Sequence, residues 1–554
     1  MKKPVFALIV CMTLACGARA QQDTYLVSFT DKASSVFTIS KPSDFLSQRA
    51  IERRKKYQIA IDETDLPVTA RYVQGVLLCG KVQLINQSKW LNQISIEADT
   101  DAIAKMNSLP YVKQVRRVKN YSPAPIASRN KFKNQVTDLR GASGNKDLSY
   151  GNSFDQIHLH EGEYLHNAGF RGDDMLISVI DAGFFHYNSL PAFDSVLING
   201  QIKDTRDFVK NKASVYEEDT HGMYCFSILA GNIPGKLVGS APGANYLLYR
   251  SEDAGSEWPI EEQYWAIAAE TSDSAGADLI TTSLGYTTFD DPSLDHSYGD
   301  MDGRTTIVAK AAVIAARKGI IVLAAAGNDG NNGWHFISSP GDADSILTVG
   351  AVDIAGTPAA FSSYGPSADG RIKPTVASMG VAAVISMANG NIGSGNGTSF
   401  ATPNLAGLVA CLWQAYPEFN NMEIIDAVKK SASTYNNPNN RIGYGIPNFR
   451  IAYETLKEQR TAKIRNVLGS QTIKAYPNPV RGQFNVALKP ANTGKAVFKL
   501  FDSNGKLVKT QTIPVIRDEP QMLLFDRLQY LPPGVYVLQY NDGSKSESIT
   551  LIFK

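Results

Sequence analysis

The sequence predicts a doubly wound, mostly parallel α/β sheet, preceded by a small α+β unit and followed by a small all-β sandwich. Between residues 150 and 456, short unbroken apolar runs alternate with helical periodicity, as expected of strands covered by helices on both faces. Residues 24–120 mix strand-like alternation with a helical stretch, and residues 474–554 hold two Gly-containing turns between alternating segments. At 554 residues the chain is also too long for one core, since domains run to roughly 100–200 residues.

The N-terminus is expected to be a signal peptide over residues 1–20. Lys2 and Lys3 precede the apolar run Val5–Ala15, and Ala18-Arg19-Ala20 supplies small residues before Gln21. The run is shorter than the roughly 20 residues of a spanning helix, so the mature chain should have no membrane span and be secreted or surface-exposed. A lipoprotein alternative through Thr13-Leu14-Ala15-Cys16 is weakened by Thr13 at a position that favours an apolar residue. Cys79, Cys225 and Cys411 then remain, too few and too scattered for a disulfide framework or a metal site, and are expected to be buried inert thiols. With 55 Lys+Arg against 53 Asp+Glu, no global field recruits nucleic acid or an anionic membrane.

In the first unit (23–120), strands are expected at Tyr25–Phe29, Trp90–Ala98 and Tyr111–Val118, with a helix over Asp99–Ser108 capped by Asp99 or Thr100. The basic run Arg49, Arg53, Arg54, Lys55 and Lys56 is read as a solvated helix face. Residues 121–149 are rich in Asn, Ser, Pro, Gly and Lys and are read as a processing region. The large unit (150–456) offers strands at Leu176–Ile180, Tyr246–Tyr249, Leu279–Ser283, Ile320–Ala325 and Ile346–Val352. Helices are expected at His221–Ala230, Glu261–Ser272, Thr305–Lys318 and Pro403–Ala415. A charged linker (457–473) precedes the β module (474–554), where Asn504-Gly505 and Asp542-Gly543 mark hairpins.

Chemistry is expected outside the carboxyl ends of the parallel strands. Ile177-Ser178-Val179-Ile180-Asp181-Ala182-Gly183 puts a carboxylate at a buried strand end, and Asp219-Thr220-His221-Gly222 puts an imidazole at a helix start. Asn396-Gly397-Thr398-Ser399-Phe400-Ala401-Thr402-Pro403 puts a hydroxyl at another helix start, with Pro403 expected in the first turn. A serine hydroxyl is a poor nucleophile unless a base lies within hydrogen-bond reach and a third group fixes that base, and Ser399, His221 and Asp181 can fill these roles.

In the order Asp, His, Ser, these segments make residues from about 150 to 455 resemble a subtilisin-family (subtilase) serine endopeptidase. Ala325-Ala326-Gly327-Asn328 resembles the family's oxyanion segment, which makes Asn328 the side-chain donor alongside the Ser399 N–H. Thr282-Ser283-Leu284-Gly285 resembles the substrate-pairing strand, so the resemblance implies substrate contacts at Ser283, Leu284 and Gly285 and a pocket at Ala326 and Gly327, with Ser338 nearby and apolar side chains preferred. The sequence departs from the family habit at Ala182, where a hydroxyl residue is usual, and at Met223, Tyr224, Phe400 and Asn404. Residues 24–120 resemble the family's propeptide, a ferredoxin-like folding template whose end occupies the cleft until it is cut. The last segment, with Tyr476-Pro477-Asn478-Pro479 and Gly534-Val535-Tyr536-Val537-Leu538, resembles a type IX secretion sorting domain.

The expected protein is therefore a secreted serine endopeptidase made as a self-processed zymogen. Its partners are peptide or protein substrates, its own propeptide and the secretion machinery. No catalytic cofactor or metal is expected. Asp- and Asn-rich loops are compatible with structural calcium, without the regular spacing of a calcium loop. The competing reading is a non-catalytic or cis-only surface binding protein on the same scaffold.

Overall fold

Seven parallel strands form the central sheet, in the spatial order 376–379, 347–352, 321–325, 279–282, 176–181, 245–250 and 202–207. The structure is a computed structural model that describes residues 22–120, 131–132, 137–138 and 148–554; the residues expected to form a signal peptide and most of those expected to form a processing region lie outside these. The chain divides into two compact units, one ending at Phe449 and one spanning Arg450–Lys554.

Leu176–Asp181 is buried along its whole length because helices cover both faces of the sheet. Ile180, Leu247, Tyr249, Ile280, Val322 and Ala324 pack in one core with the helices Ile260–Ala275 and Ile307–Arg317. The helices His221–Ala230 and Thr398–Ala415 are also almost entirely buried. The strands at 202–207 and 376–379 were not expected. Both lie at sheet edges, and Lys203, Asp204 and Arg206 interrupt the apolar signal of the first.

The N-terminal unit is an antiparallel sheet in the order 82–88, 93–98, 23–29 and 112–119, with helices Gln48–Tyr57, Ala70–Leu77 and Thr100–Met106. Asp99 caps the last of these by accepting from the Ala102 amide at 2.8 Å. One sheet face holds its own core around Val27, Phe29, Ile94 and Ile96; Leu26, Trp90 and Val118 instead join the core of the large sheet's helices.

The basic run is a solvated face only at Arg49, Lys55 and Lys56, which are exposed. Arg53 and Arg54 are 5% and 1% exposed. Arg54 donates to Asp65 and Asp273, both at 2.7 Å, while Arg53 pairs with Asp273 and Lys318 donates to Asp65 at 2.8 Å. The two arginines are buried between Asp65 of their own unit and Asp273 on the helix Ile260–Ala275, partners distant enough that a local charge count cannot reveal them.

In the C-terminal unit, a three-stranded sheet (473–476, 484–488, 521–525) and a four-stranded sheet (507–515, 494–501, 534–541, 546–553) enclose a core with Phe484, Phe498, Phe525, Leu538 and Phe553. Both predicted hairpins form, with Gly505 at φ +78° and Gly543 at φ +86°. The stretch read as a linker is largely helical. Phe449–Leu468 forms one helix, since its Lys, Glu, Arg and Leu residues are good helix formers, and Ile464 and Leu468 bury against Ala487. No helix among the described residues is long and apolar enough to cross a membrane.

Removing Arg54 leaves Asp65 and Asp273 buried without their shared partner. Arg54→Ala should therefore lower the stability of the full chain by about 3–5 kcal/mol, read from urea denaturation; an unchanged midpoint would refute this role.

Candidate active site

Three adjacent strands deliver the site from their carboxyl ends. Leu176–Asp181 ends on Asp181, Leu279–Thr282 runs into Ser283-Leu284-Gly285, and Ile321–Ala325 runs into Ala326-Gly327-Asn328. Thr282 pairs with Ile180 and with Ala324, so these ends lie at one level. His221 opens its helix, its amide donating to Asp219 Oδ1 at 2.8 Å. His221 Nδ1 lies 2.6 Å from Asp181 Oδ1, and the two residues are 1% and 0% exposed. Gly222 permits this approach: a Cβ there would sit 2.5 Å from the Gly183 carbonyl oxygen and 2.8 Å from Asp181 Cβ.

Ser399 is the second residue of the helix Thr398–Ala415, and Pro403 lies inside that helix rather than in its first turn. The difference has a tertiary cause. Proline has no N–H to give the carbonyl four residues back, which here is that of Ser399. That carbonyl accepts instead from Ser283 Oγ at 2.8 Å and Cys225 Sγ at 3.3 Å. The Ser399 hydroxyl in turn donates to the Ser283 carbonyl at 3.3 Å. His221 Nε2 and Asp181 Oδ2 are buried without a hydrogen-bond partner among the described residues. Ala182 offers Asp181 only its backbone amide, at 2.8 Å, where a hydroxyl residue could have served the second oxygen.

Asn328 Oδ1 accepts from the Thr398 amide at 2.9 Å and the Thr398 hydroxyl at 3.1 Å, which fixes the amide plane and leaves its NH₂ as the free end of the side chain. Ser283 and Ala326 are buried, Gly327 is half-buried and Gly285 is exposed. Leu284 packs in the core, so any part it takes in binding rests on its backbone. Glycine at 285 is required by the protein's own packing, because a Cβ would meet Ser338 Oγ at 2.2 Å.

Burial opposes charging of His221, but the adjacent Asp181 carboxylate, helped by Asp219 and Glu252, carries its pKa above the ordinary imidazole value. Burial pushes the Cys225 thiol well up, with Asp181 adding to the effect, and burial raises Cys411 too. Cys79, Cys225 and Cys411 are all buried and unpaired in disulfides. Two groups of metal-ligating type converge among the described residues. In the first, Asp181, His221 and Cys225, a thiol kept protonated and given to a carbonyl is a poor ligand. In the second, Glu252, Glu257 and Glu261, the three carboxylates surround the Lys131 ammonium.

Lys131 and its neighbour Phe132 were not foreseen as part of the site. The Phe132 ring stacks on His221, with centroids 4.0 Å apart and planes at 23°. Thr137–Asp138 then pairs antiparallel with Gly393–Ser394, a few residues ahead of Ser399. A Lys-Phe pair in a segment without periodicity carries no sequence signal for such a position.

Comparison with known proteins finds a family match for three stretches of the chain. Residues 172–445 match the model of the subtilase family, residues 24–135 that of the peptidase S8 propeptide domain of Bacteroidota, and residues 474–554 that of a secretion system C-terminal sorting domain. Subtilisin from Bacillus pumilus is 30% identical over 295 residues, covering 52% of this chain and 94% of that protein. Subtilisin NAT from Bacillus subtilis subsp. natto is 27% identical over 410 residues, covering 72% and 90%. A thermophilic serine proteinase from Bacillus sp. (strain AK1) is 31% identical over 271 residues, covering 49% and 59%. The sorting domain marks the protein for export, to the medium or the cell surface. With an exported chain, a propeptide and a peptidase domain, the protein belongs to the subtilase family of serine endopeptidases.

Proposed function

We propose that the protein is made as a zymogen that cuts itself in the segment following its propeptide, and that it then hydrolyses peptide bonds through an acyl-enzyme on Ser399. The observation that carries this reading is the buried Asp181–His221 pair beside Ser399, with His221 Nε2 left open. To be activated, the Ser399 hydroxyl must leave its 3.3 Å bond with the Ser283 carbonyl for that nitrogen.

In this mechanism Ser399 Oγ attacks the scissile carbonyl and His221 takes its proton, later giving it to the leaving amine. Asp181 accepts from Nδ1, which fixes the tautomer and offsets the imidazolium charge. The oxyanion is held by the Asn328 side-chain amide, oriented by Thr398, and by the Ser399 N–H in the first helical turn, where amides lack intrahelical acceptors. Ser283, Leu284 and Gly285 would pair with the substrate backbone, and Ala326 and Gly327 would border the pocket for the residue preceding the cut. Every group required belongs to the chain itself, so the mechanism calls on no cofactor. The C-terminal unit would engage the secretion machinery.

Expressed without its signal, the wild-type chain should trim itself between residues 119 and 149 and cleave casein, while Ser399→Ala should stay full-length and inactive. Intact-mass spectrometry alongside casein hydrolysis reads both. A wild-type chain that folds yet stays whole and inert would contradict the proposal and favour a binding scaffold; one that trims itself but spares casein would favour a cis-only role.

His221 must be neutral to act as base, so kcat/KM should rise with pH through an apparent pKa above about 6.5. Asp181→Asn removes the charge that raises this pKa while burial remains, so the acid limb should move to lower pH. A limb unmoved in the variant's residual activity would separate Asp181 from the base.

Asn328→Ala should lower kcat by about 100–1,000-fold with little change in KM. That range is the one known for the corresponding donor of a subtilisin, carried over unchanged to this member of the family. Steady-state kinetics on a fluorogenic peptide checks it; a purely KM effect would exclude the oxyanion role.

A further inference from the structure

We infer that Glu252, Glu257 and Glu261 form a substrate subsite selecting a lysine or arginine side chain, and that Lys131 is its internal occupant before maturation. The inference rests on the protease reading above and adds the substrate class. Lys131 Nζ is 2.9 Å from Glu257 Oε2 and 3.0 Å from Glu261 Oε2, and it also pairs with Glu252. The lysine side chain is 12% exposed, and Glu252 and Glu261 are 3% and 2% exposed.

The pocket is built without help from Lys131. Tyr286 donates its hydroxyl to Glu252 Oε2 at 2.8 Å, and the Asp253 and Trp258 amides donate to Glu261 at 2.7 and 2.9 Å. Tyr286 directly follows the Ser283-Leu284-Gly285 segment, so the pocket wall is anchored to the strand assigned to the substrate backbone. The occupant is also a peptide in the right place: the residue after Lys131 covers the His221 imidazole. A lysine one residue before a side chain that packs on the base is a position a substrate would supply.

Release of the processing segment would take the ammonium with it. Three carboxylates in a largely buried pocket are costly without a cation, so the mature cleft would favour a peptide that returns one. Even beside Lys131, burial and the charge of Glu252 hold Glu257 up at about 8. Glu257 Oε1 has no hydrogen-bond partner among the described residues. That spare acceptor suits the planar fork of arginine as well as a lysine ammonium.

The test uses the processed protein and fluorogenic tetrapeptides that carry Lys, Arg, norleucine or Glu in turn at each position before the scissile bond. At one position, Lys and Arg should raise kcat/KM over norleucine by about tenfold or more, and Glu should lower it. In Glu252→Gln and Glu257→Gln the Lys-to-norleucine ratio should fall toward one, and Glu257→Lys, which sets an ammonium beside Glu252 and Glu261, should abolish the preference for Lys and Arg. If norleucine peptides are cleaved but no position prefers a basic residue, the pocket assignment is overturned and the protease reading stands. If no peptide is cleaved, both fall. Independently of the pocket variants, Lys131→Glu should slow the first cut in an intact-mass time course and Lys131→Arg should restore it; maturation of Lys131→Glu at the wild-type rate would overturn the inference. So would a calcium-dependent rise in thermal midpoint that Glu257→Gln abolishes, since the pocket would then be a metal site.

Discussion

A carboxylate with no solvent exposure, Asp181, sits at the end of a central strand, and the architecture around the site follows from the need to partner it. A buried charge is costly unless hydrogen bonds and an opposite charge compensate it. Asp181 receives the Ala182 amide and the His221 imidazole, which ties the helix His221–Ala230 to the sheet. On the adjacent strand, Arg250 donates to the Ala182 carbonyl and to Asp207, both at 2.9 Å, so the loop that follows Asp181 is held from a second side. The same arrangement raises the affinity of His221 for a proton, the property that its proposed role as base requires.

The helix Ile260–Ala275 links the two roles of the N-terminal segment. Near its start, Glu261 meets Lys131. Toward its end, Glu270 accepts from the Lys89 and Trp90 amides at 2.9 and 3.2 Å, and Asp273 pairs with Arg53 and Arg54. Both the folded N-terminal unit and Lys131 therefore engage buried acids on one helix. A hydrophobic interface alone would give little orientation; charge pairs with fixed partners specify one docking geometry.

Much of this was legible in the sequence because parallel strands covered on both faces leave an unbroken apolar signature, as at Leu176–Ile180 and Ile320–Ala325. Asp181, His221 and Ser399 were legible because each sits where an element begins or ends, and the hairpins at Asn504-Gly505 and Asp542-Gly543 because φ > 0 restricts residue choice. What escaped depends on distant partners. Arg53 and Arg54 read as surface until Asp273 is brought beside them, and Lys131 reads as loop until three glutamates surround it. Pro403 reads as a first-turn proline because local rules do not foresee that Ser283 and Cys225 will take over the Ser399 carbonyl.

The most direct test of the central claim is to treat the processed protein with a serine-directed fluorophosphonate and map the adduct by peptide mass spectrometry. A nucleophile activated by His221 predicts one stoichiometric adduct on Ser399, lost in His221→Ala. No adduct, or an adduct on Ser399 that forms equally fast in His221→Ala, would contradict it.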